Sequence, residues 1–277
     1  MESTSFVPHP LLQPYIHAYA YTRLENVGRN LVNIDLYPIG YPILSFVLKE
    51  YHVIRVKDTN KEYGLRFNFT GQLDRYVSFQ THSPSLSAVY LVFKPFGAYK
   101  LFGIPQRYFV NESIGVMDFL PNAKEVIAQL EEHTHNPVKI VALLEKWLLQ
   151  QLVAQYRTNT DRMDHICRQI ESQSGNLSIK ELCKTNGISK TSLEDHFREK
   201  VGLGPKMYSR VIRFNNVNQF IQKNADADWR ELVYQFNYFD QAHFIKEFKG
   251  FFGYTPSQAH LSGQNLASHL SGTLTKV

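Results

Sequence analysis

The sequence predicts an α+β protein: a β-barrel or sandwich with flanking helices in its N-terminal half, followed by an all-α domain. Three observations carry this. Short β-rich runs punctuated by Gly and Pro fill the chain up to Leu120, the hydrophobic period turns helical after Pro121, and a diverged internal repeat lies near the C-terminus. A length of 277 residues suits about two domains.

The strand-like runs are Pro42 to Leu48, Tyr51 to Val56, Leu65 to Thr70, Tyr76 to Phe79 and Ala88 to Lys94, with turn signals at Gly40, Gly64, Gly71 and Pro84. Phe96 to Phe102 reads as a short helix stopped by Gly103 and Pro105. Asn122 to Glu132 is the next helix. Pro137 then opens a longer one, with Ile140, Leu143, Leu144, Trp147, Leu148, Leu152 and Tyr156 at helical spacing. Its stripe of Leu143, Leu144, Trp147, Leu148 and Leu152 fits a core face or a dimer interface equally. Arg157 to Asp161 reads as a linker, and Arg162 to Ser172 as a helix ended by Gly175.

Charge bounds the partners. The chain has 30 basic and 25 acidic residues, a formal +5, and between Asp161 and His260 the count is 14 against 12, so +2. A nucleic-acid face must therefore come from arrangement rather than bulk charge. Two cysteines, Cys167 and Cys183, make neither a disulfide framework nor a metal pair and suit a reducing compartment. The N-terminus lacks the basic start and apolar run of a signal peptide, and no apolar stretch approaches the ~18 residues of a membrane span. A cytoplasmic protein without cofactor or metal is expected. His133-Thr134-His135 has the H-x-H look of a metal site but no third ligand, so a solvated loop is the expectation, and His52 and His82 stand alone.

The repeat carries the most information. Glu181, Leu182, Gly187, Leu193, Phe197, Gly202 and Pro205 correspond to Glu231, Leu232, Asn237, Phe244, Phe248, Gly253 and Pro256. Pairs before the turn are offset by 50 positions and pairs after it by 51, so the second copy has one extra residue at the turn. Each copy is a short amphipathic helix, a residue suited to positive φ, and a second helix, which is the helix-turn-helix pattern. Ser178 caps the first helix with Glu181 as its box partner, and Ser189 and Asp240 cap the two second helices. Cys183 fills the small-residue slot where two helices cross.

The outward positions of the first recognition helix are Lys190, Thr191, Glu194, Asp195 and Arg198; those of the second are Gln241, Ala242, Ile245, Lys246 and Lys249. Gln reads adenine through a bidentate contact, and Ala or Ile touches a thymine methyl. Between the units, Lys206 to Lys223 lacks Gly and Pro and repeats Met207, Val211, Phe214, Val217 and Ile221 at helical spacing. One helix there holds the units apart at a separation suited to successive major-groove turns, with Arg210 and Arg213 as phosphate contacts.

From Asn237 to Pro256 the order of an aromatic, Asp240, His243-Phe244, Phe248-Lys249 and Gly253-x-x-Pro256 resembles the signature of the AraC/XylS-type bacterial transcription regulators, and the likeness extends over residues 162–260. It implies a compact helical domain that binds promoter DNA, with RNA polymerase as a partner if the protein activates. Val233 and Asn237 depart from the family's usual Ala and Gly. Glu194 and Asp195 stand where polar or basic residues are common, and two acids beside phosphate repel it, so either Glu194 accepts a hydrogen bond from cytosine N4 or this helix contributes little affinity.

The N-terminal half resembles the cupin-like barrel of the family's sensor domains through Pro10 to Ile16 and Phe93 to Gly103. The resemblance implies a small-molecule effector and a homodimer. Candidate pocket walls are Tyr37, Tyr41, Phe46, Phe67, Phe69 and Phe79, each of which also suits a plain core role. The alternative is an enzymatic, DNA-repair-like N-terminal domain. It is disfavoured because residues 1–160 lack cysteine, a Gly-x-Ser-x-Gly elbow, a phosphate-binding glycine loop and an H-E-x-x-H motif. The expected organisation is a sensing and dimerisation domain over 1–157, a linker at 158–161, a DNA-binding domain over 162–260 and a disordered tail at 261–277.

Overall fold

A computed structural model describes residues 2–24, 32–48, 52–56, 62–81, 86–154, 162–224 and 229–259. The expected linker at 158–161 and tail at 261–277 lie outside them. The N-terminal half is antiparallel, in two sheets. The larger has strand order β1 (Glu2–Phe6), β2 (Ile16–Leu24), β9 (Leu86–Phe93), β4 (Ile43–Val47), β7 (Phe67–Thr70) and β10 (Ser113–Gly115). The smaller has β3 (Val32–Leu36), β8 (Val77–Thr81), β5 (His52–Val56) and β6 (Glu62–Leu65). The run from Leu65 to Thr70 thus divides between two sheets. β1, β2, β3 and β10 were not legible in the sequence, nor was β6 beyond Leu65, since the expected turn at Gly64 is a strand position paired with Val53; β2 alternates Tyr with Ala, which has little strand propensity of its own.

Register gives the larger sheet two unlike faces. Tyr19, Leu44, Phe46, Phe67, Phe69, Val89, Leu91 and Phe93 point to one side. There they form one core with α1 (Gly97–Phe102), α2 (Val116–Phe119), α3 (Lys124–Glu131) and α4 (Pro137–Ala154). The opposite face carries Ala18, Ala20, Thr22, Ser45, Asn68, Ala88 and Tyr90, together with the aliphatic Ile43, Val47 and Val92. The expected pocket aromatics are divided accordingly. Phe46, Phe67 and Phe69 belong to the helix-side core, Tyr41 stacks on His17 at 5.0 Å, and Tyr37 is buried in the core of the C-terminal domain. The Phe79 side chain lies outside the described residues. In α4, Leu144, Trp147 and Leu148 are buried and Leu143 and Leu152 pack against the same core, so that stripe covers the sheet.

The C-terminal half is helical: α5 (Arg162–Ser172), α6 (Ile179–Asn186), α7 (Lys190–Lys200), α8 (Pro205–Lys223), α9 (Trp229–Gln235), α10 (Gln241–Phe252) and α11 (Pro256–Ala259). Its core gathers Ile166, Leu193, Phe197, Val211, Phe214, Leu232, Phe244 and Phe248. No helix of the described residues is long and apolar enough to cross a membrane.

Candidate nucleic-acid interface

Each unit is built by local chemistry. Ser178 accepts from the Glu181 N–H at 3.1 Å to start α6, and Ser189 accepts from the Ser192 N–H at 3.1 Å to start α7. Gly187 makes the turn at φ 57°, and the Ile188 N–H closes on the Cys183 carbonyl at 3.1 Å. The second unit repeats the device without glycine. Asn237 sits at φ 54°, the Tyr238 N–H donates to the Val233 carbonyl at 2.9 Å, and Asp240 accepts from the His243 N–H at 2.7 Å to start α10.

The extra residue of the second turn can now be placed. α7 is capped two residues after Gly187, whereas α10 is capped three residues after Asn237. In the first unit Ile188, just before the cap, is half-buried against the domain core. In the second, Tyr238 takes the inward place, 6% exposed and 5.0 Å from the Phe244 ring. Phe239 is left outside at 90% exposure, and Tyr234, across the same turn, is 88% exposed. Sequence reading passed over both rings, because a one-residue insertion does not say which of two aromatics turns outward.

α8 connects the units as one helix of 19 residues, about 28 Å long at 1.5 Å per residue. Lys190, Thr191, Asp195 and Arg198 of α7 are exposed, as are Gln241, Ala242, Lys246 and Lys249 of α10. Ile245 is half-buried against the core. Glu194 is half-buried and 3.9 Å from Arg198. Arg210 and Arg213, expected on phosphate, are placed otherwise: both reach Glu247 of α10 at 3.2 Å, and Glu247 is 1% exposed. His243 approaches the same carboxylate at 3.4 Å, and Arg213 lies over the Tyr238 ring at 4.5 Å. A buried carboxylate needs charge partners, and these fix α10 to α8.

The N-terminal domain grips the far ends of both recognition helices. Tyr99 O–H donates to Glu199 at 3.0 Å near the end of α7. The Tyr76 N–H donates to the Gly250 carbonyl at 3.3 Å near the end of α10, and the Tyr37 ring is 4.4 Å from Phe252. Gly40, at φ 82°, lets the chain approach α8 beside Tyr208, Val211 and Ile212. The first turns of α7 and α10 stay exposed. These are the turns that enter a major groove.

Two helix-turn-helix units on one rigid connector define a DNA-binding domain. Residues 182–260 match the model of a helix-turn-helix domain family, and with the signature from Asn237 to Pro256 this part of the chain is an AraC-type double helix-turn-helix domain. The chain is similar to the Msm operon regulatory protein of Streptococcus mutans, 26% identical over 127 residues, which is 46% of this chain. That match spans 45% of the relative's own length, less than half of it. Among solved structures it is similar to ToxT from Vibrio cholerae O395, at 12% identity, TM-score 0.46, 93% of this chain and 97% of that one. It is also similar to unsaturated fatty acid bound ToxT from Vibrio cholerae strain SCE256, at 13% identity, TM-score 0.45, 86% of this chain and 96% of that one.

Proposed function

We propose that the chain is a non-catalytic transcription regulator that reads promoter DNA with α7 and α10 in successive turns of the major groove. The observation that carries this is the pair of recognition helices, their first turns exposed, held apart by the single helix α8. Gln241 is the base reader and Lys246 and Lys249 are phosphate contacts. If the protein activates, RNA polymerase is its partner. The test is footprinting of the full chain on its own upstream region. Gln241→Ala should cost about 1–3 kcal/mol on the protected site and relax one base pair. Lys246→Ala should weaken all duplexes alike and flatten the salt dependence. Equal affinity for promoter and random duplex would end the claim of specific reading.

A small effector is the finer part of the proposal. Its support is the face of the larger sheet lined by Ala18, Ala20, Thr22, Asn68, Ala88 and Tyr90, all buried and outside the aromatic core. The Thr22 hydroxyl there is buried with no hydrogen-bond partner among the described residues. Calorimetry with a metabolite panel tests it, and Thr22→Val should weaken any heat found.

A homodimer is the second finer part, supported by the outer face of α4. Val138 and Val153 are 63% and 76% exposed there, and Ala142, Glu145, Lys146, Leu149 and Val153 line a groove of about 750 Å³. An antiparallel copy centred between Glu145 and Lys146 sets Val138 against Val153, Ala142 against Leu149 and each Glu145 against a Lys146. Glu145 also accepts from the His9 N–H at 2.6 Å, which orients it. Val153→Lys should lower the mass seen in sedimentation; an unchanged mass removes this interface.

A further inference from the structure

We propose that Phe239, seconded by Tyr234, is a DNA-contacting residue of this protein, its ring laid against the deoxyribose edge of the strand that borders the groove entered by α10. This rests on the DNA-binding reading above. Phe239 and Tyr234 are the two most exposed large hydrophobic side chains of the described residues, at 90% and 88%. Single exposed apolar residues are ordinary on a surface, but these two flank one rigid turn. The Asn237 N–H donates to the Tyr234 carbonyl at 3.3 Å, the Tyr238 N–H to Val233, and Asp240 caps α10 immediately after Phe239.

The residue before an N-cap usually packs on the fourth residue of its helix. In the second unit that residue is Phe244, and Tyr238 already covers it at 5.0 Å. The inserted position therefore frees Phe239 from the core. The first unit has Ile188 packed inward before its cap and Lys184 where Tyr234 stands. Only the second unit presents aromatic rings beside its recognition helix.

Duplex DNA is the occupant because exposed Phe239 stands two residues before Gln241, which with Ala242 opens the exposed first turn of α10. When the first turn of a recognition helix enters the major groove, the turn before it meets the backbone. A flat ring there excludes water from sugar C–H groups without adding charge.

The test selects duplexes from a randomised pool with the full wild-type chain, then measures Phe239→Ser, Tyr234→Ser and, as a remote control, Val7→Ser, a residue 71% exposed at the other end of the chain, on the selected duplex. Phe239→Ser should weaken binding roughly tenfold and Tyr234→Ser about threefold, at unchanged salt slope, because no phosphate contact is lost. Hydroxyl-radical cleavage should rise at one or two sugars of one strand. Melting temperatures should stay at the wild-type value, since both rings are exposed. Wild-type affinity with unchanged sugar protection in Phe239→Ser overturns the proposal. So does unchanged DNA binding together with lost activation by RNA polymerase, which would assign the rings to a protein partner. A wild-type chain that enriches no duplex from the pool overturns the DNA-binding reading itself, and this proposal with it.

Discussion

The two helix-turn-helix units share one pattern and solve it with different chemistry. The first turns on Gly187 and the second on Asn237. The first presents Lys190, Thr191, Asp195 and Arg198 outward with Glu194 half-buried, whereas the second presents Gln241, Ala242 and Lys246 with two exposed rings at the turn before them. Each half of the domain also holds a carboxylate against its core, Glu247 buried and Glu171 half-buried. Glu247 in the second meets two guanidinium groups, while Glu171 of α5 accepts from the Tyr208 hydroxyl at 2.6 Å, and burial pushes its pKa up. A repeat thus conserves the hydrophobic frame that makes the fold and leaves the outer and polar positions to diverge. The exposed start of the second recognition helix carries Gln241, Ala242 and Lys246, whereas on the first Arg198 lies 3.9 Å from the Glu194 carboxylate.

The largest expected effect breaks the polar tie of the second unit. Glu247→Leu leaves Arg213 buried without its anion and should cost about 3 kcal/mol, toward the low end for a buried pair because Arg210 is 37% exposed. Hydrogen exchange should accelerate in α10 before α7. Uniform exchange across both would show that the two units unfold as one. Next, Gly253→Ala should cost about 2–3 kcal/mol in denaturant unfolding. Its φ is 80°, and the new Cβ would stand 2.7 Å from the Tyr76 ring, so strain and a clash combine. Gly187→Ala, at φ 57° with nothing within 4 Å, should cost only about 1 kcal/mol. Equal costs would mean that Tyr76 does not bear on the second unit.

Glu171→Gln sharpens the contrast between the carboxylates. The folded pKa is raised, so the folded state holds its proton at a pH where the unfolded chain has lost it. The contribution is present below the unfolded pKa and is lost as pH rises through the folded one. At neutral pH the ionised group is desolvated, and Gln keeps an acceptor for Tyr208. Melting temperature should therefore rise at pH 7 and match wild type near pH 4; a fall at pH 7 would show that Lys94, whose charge favours the anion, outweighs burial. The smallest effect is on binding. With Glu194 partly matched by Arg198, replacing Glu194 and Asp195 by Gln should tighten DNA about threefold at low salt and not at high salt. No change at low salt would place this face away from the duplex.

The sequence alone determined the double helix-turn-helix domain. Caps, turn residues and apolar spacing are local signals, and Ser178, Gly187, Ser189, Asn237 and Asp240 act within a few residues of themselves. α5 was legible from Arg162 to Ser172 for the same reason. Tertiary structure alone decided what depends on distant partners. Five strands, β1, β2, β3, β6 and β10, were missed because pairing with another strand, not a local pattern, makes them. Arg210 and Arg213 read as phosphate contacts until α10 brought Glu247 beneath them, and Tyr37 read as a pocket wall until Phe252 met it. An inserted residue is visible in an offset of 50 against 51, but which ring faces water is settled by packing, since Tyr238 and Phe239 differ little as residues and only one fits against Phe244.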